Sequence, residues 1–199
     1  MTARKASTNH KNQIFEQARQ LMRMQGYHRT SIADIAQGCG LSKASIYHHI
    51  SEKKDLVGIA MRDVQKFFKE NCFDLIYDKQ MSSNKKIDLL FATLGQYLAE
   101  HHGGCLVHNL VHELADSQPE FLGLFQEYFS LWLNAVAHIL QPSYTPEVAR
   151  TLSEDIVAQL GGAIMMDRLY RTDKYVQRVK ALLTSYVAEK EKEKEVAVA

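Results

Sequence analysis

The sequence predicts an all-α protein. Three observations carry this: long apolar patterns with a 3.6-residue period, only three prolines and ten glycines in 199 residues, and no alternating run that would make a strand. A 46% hydrophobic content is enough to bury a substantial core. The expected organisation is a small N-terminal helical module over residues 1–52, a larger helical body over 53–188, and a charged tail over 189–199 without ordered structure. The pattern accommodates about nine helices.

Ile14, Ala18, Leu21 and Met22 form the inner face of the first helix, which Gly26 closes. The segment from Thr30 to Leu56, TSIADIAQGCGLSKASIYHHISEKKDL, then reads as two short helices joined by a tight turn. Ser31 followed by Asp34 is an N-cap signature, and Ile32, Ile35, Ala36 and Cys39 make one apolar face. Gly40 falls where the chain must reverse, and Leu41 anchors the turn. Ser42 caps a helix over Lys43–Ile50 that turns Ile46 inward and leaves Lys43, Ser45, Tyr47, His48 and His49 outward. A short helix with that exposed face fits a DNA major groove.

A longer helix begins near Lys53 and carries Leu56, Val57, Ala60, Val64, Phe67 and Phe68, far enough to link the module to the body. From Ile76 to Lys86 the apolar period is lost and a loop is expected. Ile87, Leu90, Phe91, Leu94 and Leu98 define the next helix, stopped by Gly103 and Gly104. A short apolar helix over Cys105–Ala115 follows, and Ser117 with Pro119 and Glu120 reads as a capping box for the helix bearing Phe121, Leu124, Phe125, Phe129, Trp132, Val136 and Ile139. Thr145 and Pro146 start an eighth helix and Asp173 a ninth.

Charge divides the chain. Residues 1–60 hold nine Lys/Arg against four Asp/Glu, a net of +5, while the rest carries −4, which suits a module that meets phosphates and a body that does not. The basic arm Arg4, Lys5 and Lys11 is a further place to touch DNA. A polar start and the lack of a long apolar run lead to an expectation of a cytoplasmic protein without a membrane partner. Cys39, Cys72 and Cys105, unevenly spaced, read as free thiols.

The stretch from Ile14 through GYHRTSIADIAQGCGLSKASIYHHISEKKDL resembles the N-terminal DNA-binding domain of the TetR/AcrR transcriptional regulators. It departs from that pattern at Ile50, where phenylalanine is common, and at Glu52, where a small polar residue is usual. The resemblance implies a homodimeric regulator, most simply a repressor, that binds a near-palindromic double-stranded operator and is released by a small-molecule effector. Bases or groove would be met by Lys43, Ala44, Ser45, Tyr47 and His48, and phosphates by Thr30, Ser42, Tyr47, His49, Lys53 and Lys54. The dimer seam it implies runs along the last two helices, through Ile156, Leu160, Gly161, Gly162, Ile164, Val179, Leu182, Leu183 and Tyr186, residues that serve an internal core equally well.

An effector pocket in the body would draw on Tyr97, Leu106, Leu110, Tyr128, Trp132, Met165 and Met166, with Cys105 and His108 beside it, although such stripes are ordinarily plain core. The phrase GGCLVHNLVHELADS resembles a subgroup of TetR-like repressors that includes a reactive-electrophile and hypochlorite sensor. At a helix N-terminus Cys105 would be biased toward thiolate, against which stands the commoner buried, inert cysteine. A weaker alternative is a metal-responsive regulator using His108 and His112, with His101, His102, Cys105 and Glu113 as further donors. No cofactor is expected. The chain shows no phosphate-binding loop, nucleophile elbow or dinucleotide fingerprint, so an enzyme is disfavoured, as is a non-specific architectural DNA binder with so acidic a body.

Overall fold

The structure is a computed structural model that describes the backbone of residues 2–100 and 104–198 and the side chains of residues 10–100 and 104–189. Among the described residues it contains nine helices and no strand. They are α1 (Thr2–Gln25), α2 (Ile32–Cys39), α3 (Lys43–Tyr47), α4 (Asp55–Phe68, continued by a π-helical turn Lys69–Phe73 and a last α turn Asp74–Ile76), α5 (Ser83–Glu100) and α6 (Leu106–Leu114). A 3₁₀ turn, Pro119–Phe121, leads into α7 (Leu122–Leu140), followed by α8 (Pro146–Tyr170) and α9 (Lys174–Val198). No helix among the described residues is long and apolar enough to cross a membrane.

Compactness divides the chain into one unit of Met1–Gln65 with Glu100–Gln126 and another of Lys66–Ala99 with Glu127–Ala199. The division runs through α4 and assigns α6 to the N-terminal unit, whereas the sequence reading places one boundary at Lys53. In the first unit Ile14, Ala18 and Met22 of α1, Ile35 and Ala36 of α2, Ile46 of α3 and Leu56, Val57, Ala60 and Val64 of α4 are all buried, and α2 packs on both α1 and α3. Gly26 ends α1 as expected: its φ of +90° is open to glycine, and its N–H donates to the Met22 carbonyl at 3.1 Å.

The second unit is built on aromatics. Phe68 lies 5.1 Å from the ring centroids of both Tyr97 and Trp132, and Phe73 lies 5.2 Å from Trp132. The π turn in α4 frees carbonyls that side chains then satisfy: Asn71 Nδ2 donates to the Phe67 carbonyl at 2.8 Å, and the Thr93 hydroxyl donates to the Asn71 carbonyl at 3.3 Å. Helices α8 and α9 pack on each other. Arg171, in the left-handed region at φ 55°, closes α8, and the Asp167 carboxylate accepts the N–H groups of Tyr175 and Val176, both at 2.9 Å, to start α9.

Four expectations are corrected here. Helix α5 begins at Ser83 rather than after Lys86, because Lys86 is buried inside its first turns with Nζ 3.2 Å from His138 Nε2. The Ser117 capping box is not formed: the Ser117 hydroxyl donates back to the Glu113 carbonyl at 2.8 Å, and Pro119 opens a 3₁₀ turn without a side-chain cap. Helix α3 stops at Tyr47, short of Ile50. The charged tail continues α9 to Val198, as its Glu, Lys and Ala residues favour helix. Arg4, Lys5, His101, His102, Gly103 and Ala199 fall outside the residues whose side chains are described.

Candidate nucleic-acid interface

Local chemistry sets the geometry of α2 and α3. The Ser31 hydroxyl accepts the Asp34 N–H at 3.1 Å while the Asp34 carboxylate accepts the Ser31 N–H at 2.8 Å, a reciprocal capping box. The Ser31 hydroxyl also donates to the Asp34 carboxylate at 2.7 Å, and this bond, followed by the one from the Ser31 N–H, holds the Asp34 carboxyl below its ordinary pKa. Gly40 then takes φ 64°, and the Leu41 N–H reaches back to the Ala36 carbonyl at 2.9 Å. Ser42 caps α3 by accepting the Ser45 N–H at 3.1 Å.

With Ile46 fully buried beneath it, α3 presents Ser42, Lys43, Ala44, Tyr47 and His48 to solvent and leaves Ser45 and His49 half-buried. Tyr47 is 54% exposed, a large ring held in water on a helix face of otherwise small and polar residues. Past α3 the chain stays tightly coiled, the His49 N–H donating to the Ile46 carbonyl at 2.8 Å. The Asp55 carboxylate accepts the N–H groups of Ser51 and Glu52 at 2.9 and 2.8 Å, which fastens the approach to α4. Exposed Lys54 pairs with Glu52 at 3.0 Å.

Two residues expected at phosphates are tied inward. Thr30 is buried, and its hydroxyl donates to the Gly26 carbonyl at 2.8 Å. The Lys53 ammonium donates to the carbonyls of Tyr27 and Thr30 at 2.9 and 3.0 Å and sits 4.0 Å from the Tyr27 ring centroid. Burial pulls the Lys53 pKa below the ordinary lysine value, with Glu113 acting in the opposite sense. Sequence reasoning missed this use of Lys53 because its carbonyl partners lie 23 and 26 residues away and carry no side-chain signature.

The residues named for an effector fall in both units. In the first, Leu106 and Leu110 are fully buried, and Cys105 is 4% exposed at the start of α6. Burial pushes the Cys105 thiol up, outweighing the downward pull of the Val107 and His108 N–H groups and of Arg23, so the expected bias toward thiolate is reversed. His108 is half-buried, and burial and then His112 lower its pKa. Among the described residues no three His, Cys, Asp or Glu side chains are grouped to hold a metal, and Glu113 binds backbone N–H groups instead. In the second unit Tyr97, Tyr128 and Trp132 are buried in the aromatic cluster and Met166 is half-buried, but Met165 is 59% exposed and lines no interior.

The residues named for a dimer seam divide in the same way. Ile156, Leu160, Ile164, Val179 and Leu183 are buried within the protomer, so they form its own core. Leu182, Tyr186 and Gly161 are half-buried, Gly162 is exposed, and a Cβ at Gly162 would meet nothing within 4 Å. Periodicity could not separate the two faces of α8, since both carry apolar residues. Outward lie Gly162, Met165, Leu169 at 67% exposure and Tyr170.

Residues 14–58 match the family model for bacterial regulatory proteins of the tetR family, and residues 85–182 match the model for the C-terminal domain of LmrA/YxaF-like transcriptional regulators. The chain is 30% identical over 117 residues to the biofilm operon icaADBC HTH-type negative transcriptional regulator IcaR of Staphylococcus aureus, a match covering 57% of this chain and 58% of that protein. It is 23% identical over 111 residues to the HTH-type transcriptional repressor KstR2 of Mycobacterium tuberculosis, covering 56% and 55%. The chain thus spans somewhat over half the length of these curated relatives. The fold matches a TetR transcriptional regulator from Chloroflexus aurantiacus with a TM-score of 0.79 at 23% identity, over 92% of this chain and 96% of that one. With a capped helix-turn-helix inside the first matched segment and an all-helical body under the second, the chain belongs to the TetR family of transcriptional regulators.

Proposed function

We propose that the protein is a repressor that binds a near-palindromic operator as a homodimer and leaves it when a small apolar or flat effector binds. The observation that carries the reading is α3, capped at Ser42, anchored by buried Ile46 and exposing Lys43, Ala44, Tyr47 and His48. Lys43, Ala44, Ser45, Tyr47 and His48 would meet bases or groove. Ser42, Tyr47, His49 and Lys54 would meet phosphates, and Lys53 would add one, since two of its three N–H donors serve the Tyr27 and Thr30 carbonyls. Thr30 would act only through the corner it braces. That the relatives are named as a repressor and a negative regulator supports repression over activation.

A homodimer is proposed because one short reading helix distinguishes too few base pairs, and two heads about 34 Å apart read a two-fold site. Its seam would be the outward row of α8, Gly162, Met165 and Leu169, with Tyr170 beside it. The effector would meet aromatic side chains such as Tyr97, Tyr128 and Trp132. Modification of Cys105 is the weaker trigger, because burial keeps its sulfur protonated.

Selection of bound fragments from a genomic library tests the reading. A near-palindromic sequence should be enriched, and Lys43→Ala should change which sites are preferred while costing about tenfold on the best one. Equal recovery of all fragments would sink the proposal.

A further inference from the structure

We infer that Glu113 of α6 is a positioning residue for DNA reading: its carboxylate holds the corner between α1 and α2 on which the helix-turn-helix is mounted, so the placement of α6 sets that of the reading helix. The inference rests on the regulator reading above.

One carboxylate oxygen of Glu113 accepts the Tyr27 N–H and the other the His28 N–H, both at 3.0 Å, while the Glu113 carbonyl lies 3.3 Å from His28 Nε2. These N–H groups stand past the end of α1 and before α2, where no helix supplies a partner. Gly26 opens the space: a Cβ there would lie 2.4 Å from Glu113 Oε1, at a φ of +90° that already favours glycine. The corner is therefore shaped to admit this side chain.

Tyr27, 4% exposed, is gripped on every side. Glu113 takes its N–H, Lys53 takes its carbonyl at 2.9 Å and covers its ring, and Gln118 bonds its hydroxyl. The second Lys53 bond goes to the Thr30 carbonyl, directly before the Ser31 cap of α2. One turn before Glu113, Asn109 Nδ2 donates to the Arg23 carbonyl at 3.0 Å, so the same face of α6 also holds the last turn of α1. Bonds to a carboxylate are short-range and directional. If α6 shifts by an ångström or so, they either break or carry Tyr27, and with it Thr30 and Ser31, along.

A mere fastening of α6 would stabilise the fold without bearing on sequence choice, and the ratio of operator to scrambled-duplex affinity separates the two roles. In Glu113→Gln the amide oxygen can accept one N–H, but the NH₂ faces the other donor. We expect operator affinity to fall about tenfold or more and scrambled-duplex affinity to stay within about twofold, because phosphate attraction does not depend on the aim of the head. An unchanged ratio overturns the inference. If that variant does not fold, hydrogen exchange on the intact protein decides. Tyr27 and His28 amides that exchange as slowly as the helical amides of α1 support the clamp, and free exchange overturns it. A wild-type protein that does not distinguish the duplexes removes the regulator reading and this inference with it, whereas an intact wild-type preference with an unaffected variant removes this inference alone.

Discussion

At Cys105 two opposing effects meet on one sulfur. The start of α6 offers the Val107 and His108 N–H groups, and Arg23 adds positive charge, yet the thiol is raised because desolvation of a thiolate at 4% exposure outweighs them. Cys105 should therefore alkylate with iodoacetamide at pH 7.5 at least about tenfold more slowly than free cysteine. Cys72, pushed up to about 12 by burial, should be equally inert. Peptide mass spectrometry over a time course reads both. Fast labelling of Cys105 in the folded protein would contradict the burial argument and favour the thiol trigger over a bound effector.

Among the elements, what was legible in the sequence was what is decided locally. The Ser31–Asp34 box, the Gly40 reversal, the Ser42 cap and the Thr145–Pro146 start of α8 each depend on residues within about a turn of one another, and each appears in the structure. What was not legible depends on distant partners. Ser117 spends its hydroxyl on the preceding turn, Lys53 and Glu113 spend their charges on backbone groups of the Tyr27 corner, and the π turn of α4 is satisfied by Thr93 from α5. None of these carries a signature of spacing. Gly40 offers the sharpest test at this scale, because nothing lies within 4 Å of an added Cβ and only its φ of 64° opposes a side chain. Gly40→Ala should lower unfolding stability by about 1–2 kcal/mol with an unchanged denaturant slope. Chemical denaturation followed by circular dichroism measures it, and a loss within error of zero would mean the turn relaxes without strain.

For the whole molecule, burial reassigns the helices that the sequence could place but not orient. Ile156, Leu160, Ile164 and Leu183 are sealed inside the protomer, so a charge there should unfold it, while Met165 and Leu169 stand four residues apart on the outward face of α8. Exposed apolar rows of this kind are where a second copy would bury surface that water now covers. Met165→Glu with Leu169→Glu should leave the helical signal and thermal midpoint close to wild type and shift sedimentation from dimer to monomer. Operator affinity should then fall by about a hundredfold or more, because two heads on one frame bind the second half-site at high effective concentration. Leu183→Glu should instead lose the fold. If the double variant remains a dimer, the seam lies elsewhere on the surface of this chain, and the half-buried residues Leu182 and Tyr186 of α9 become the next face to charge.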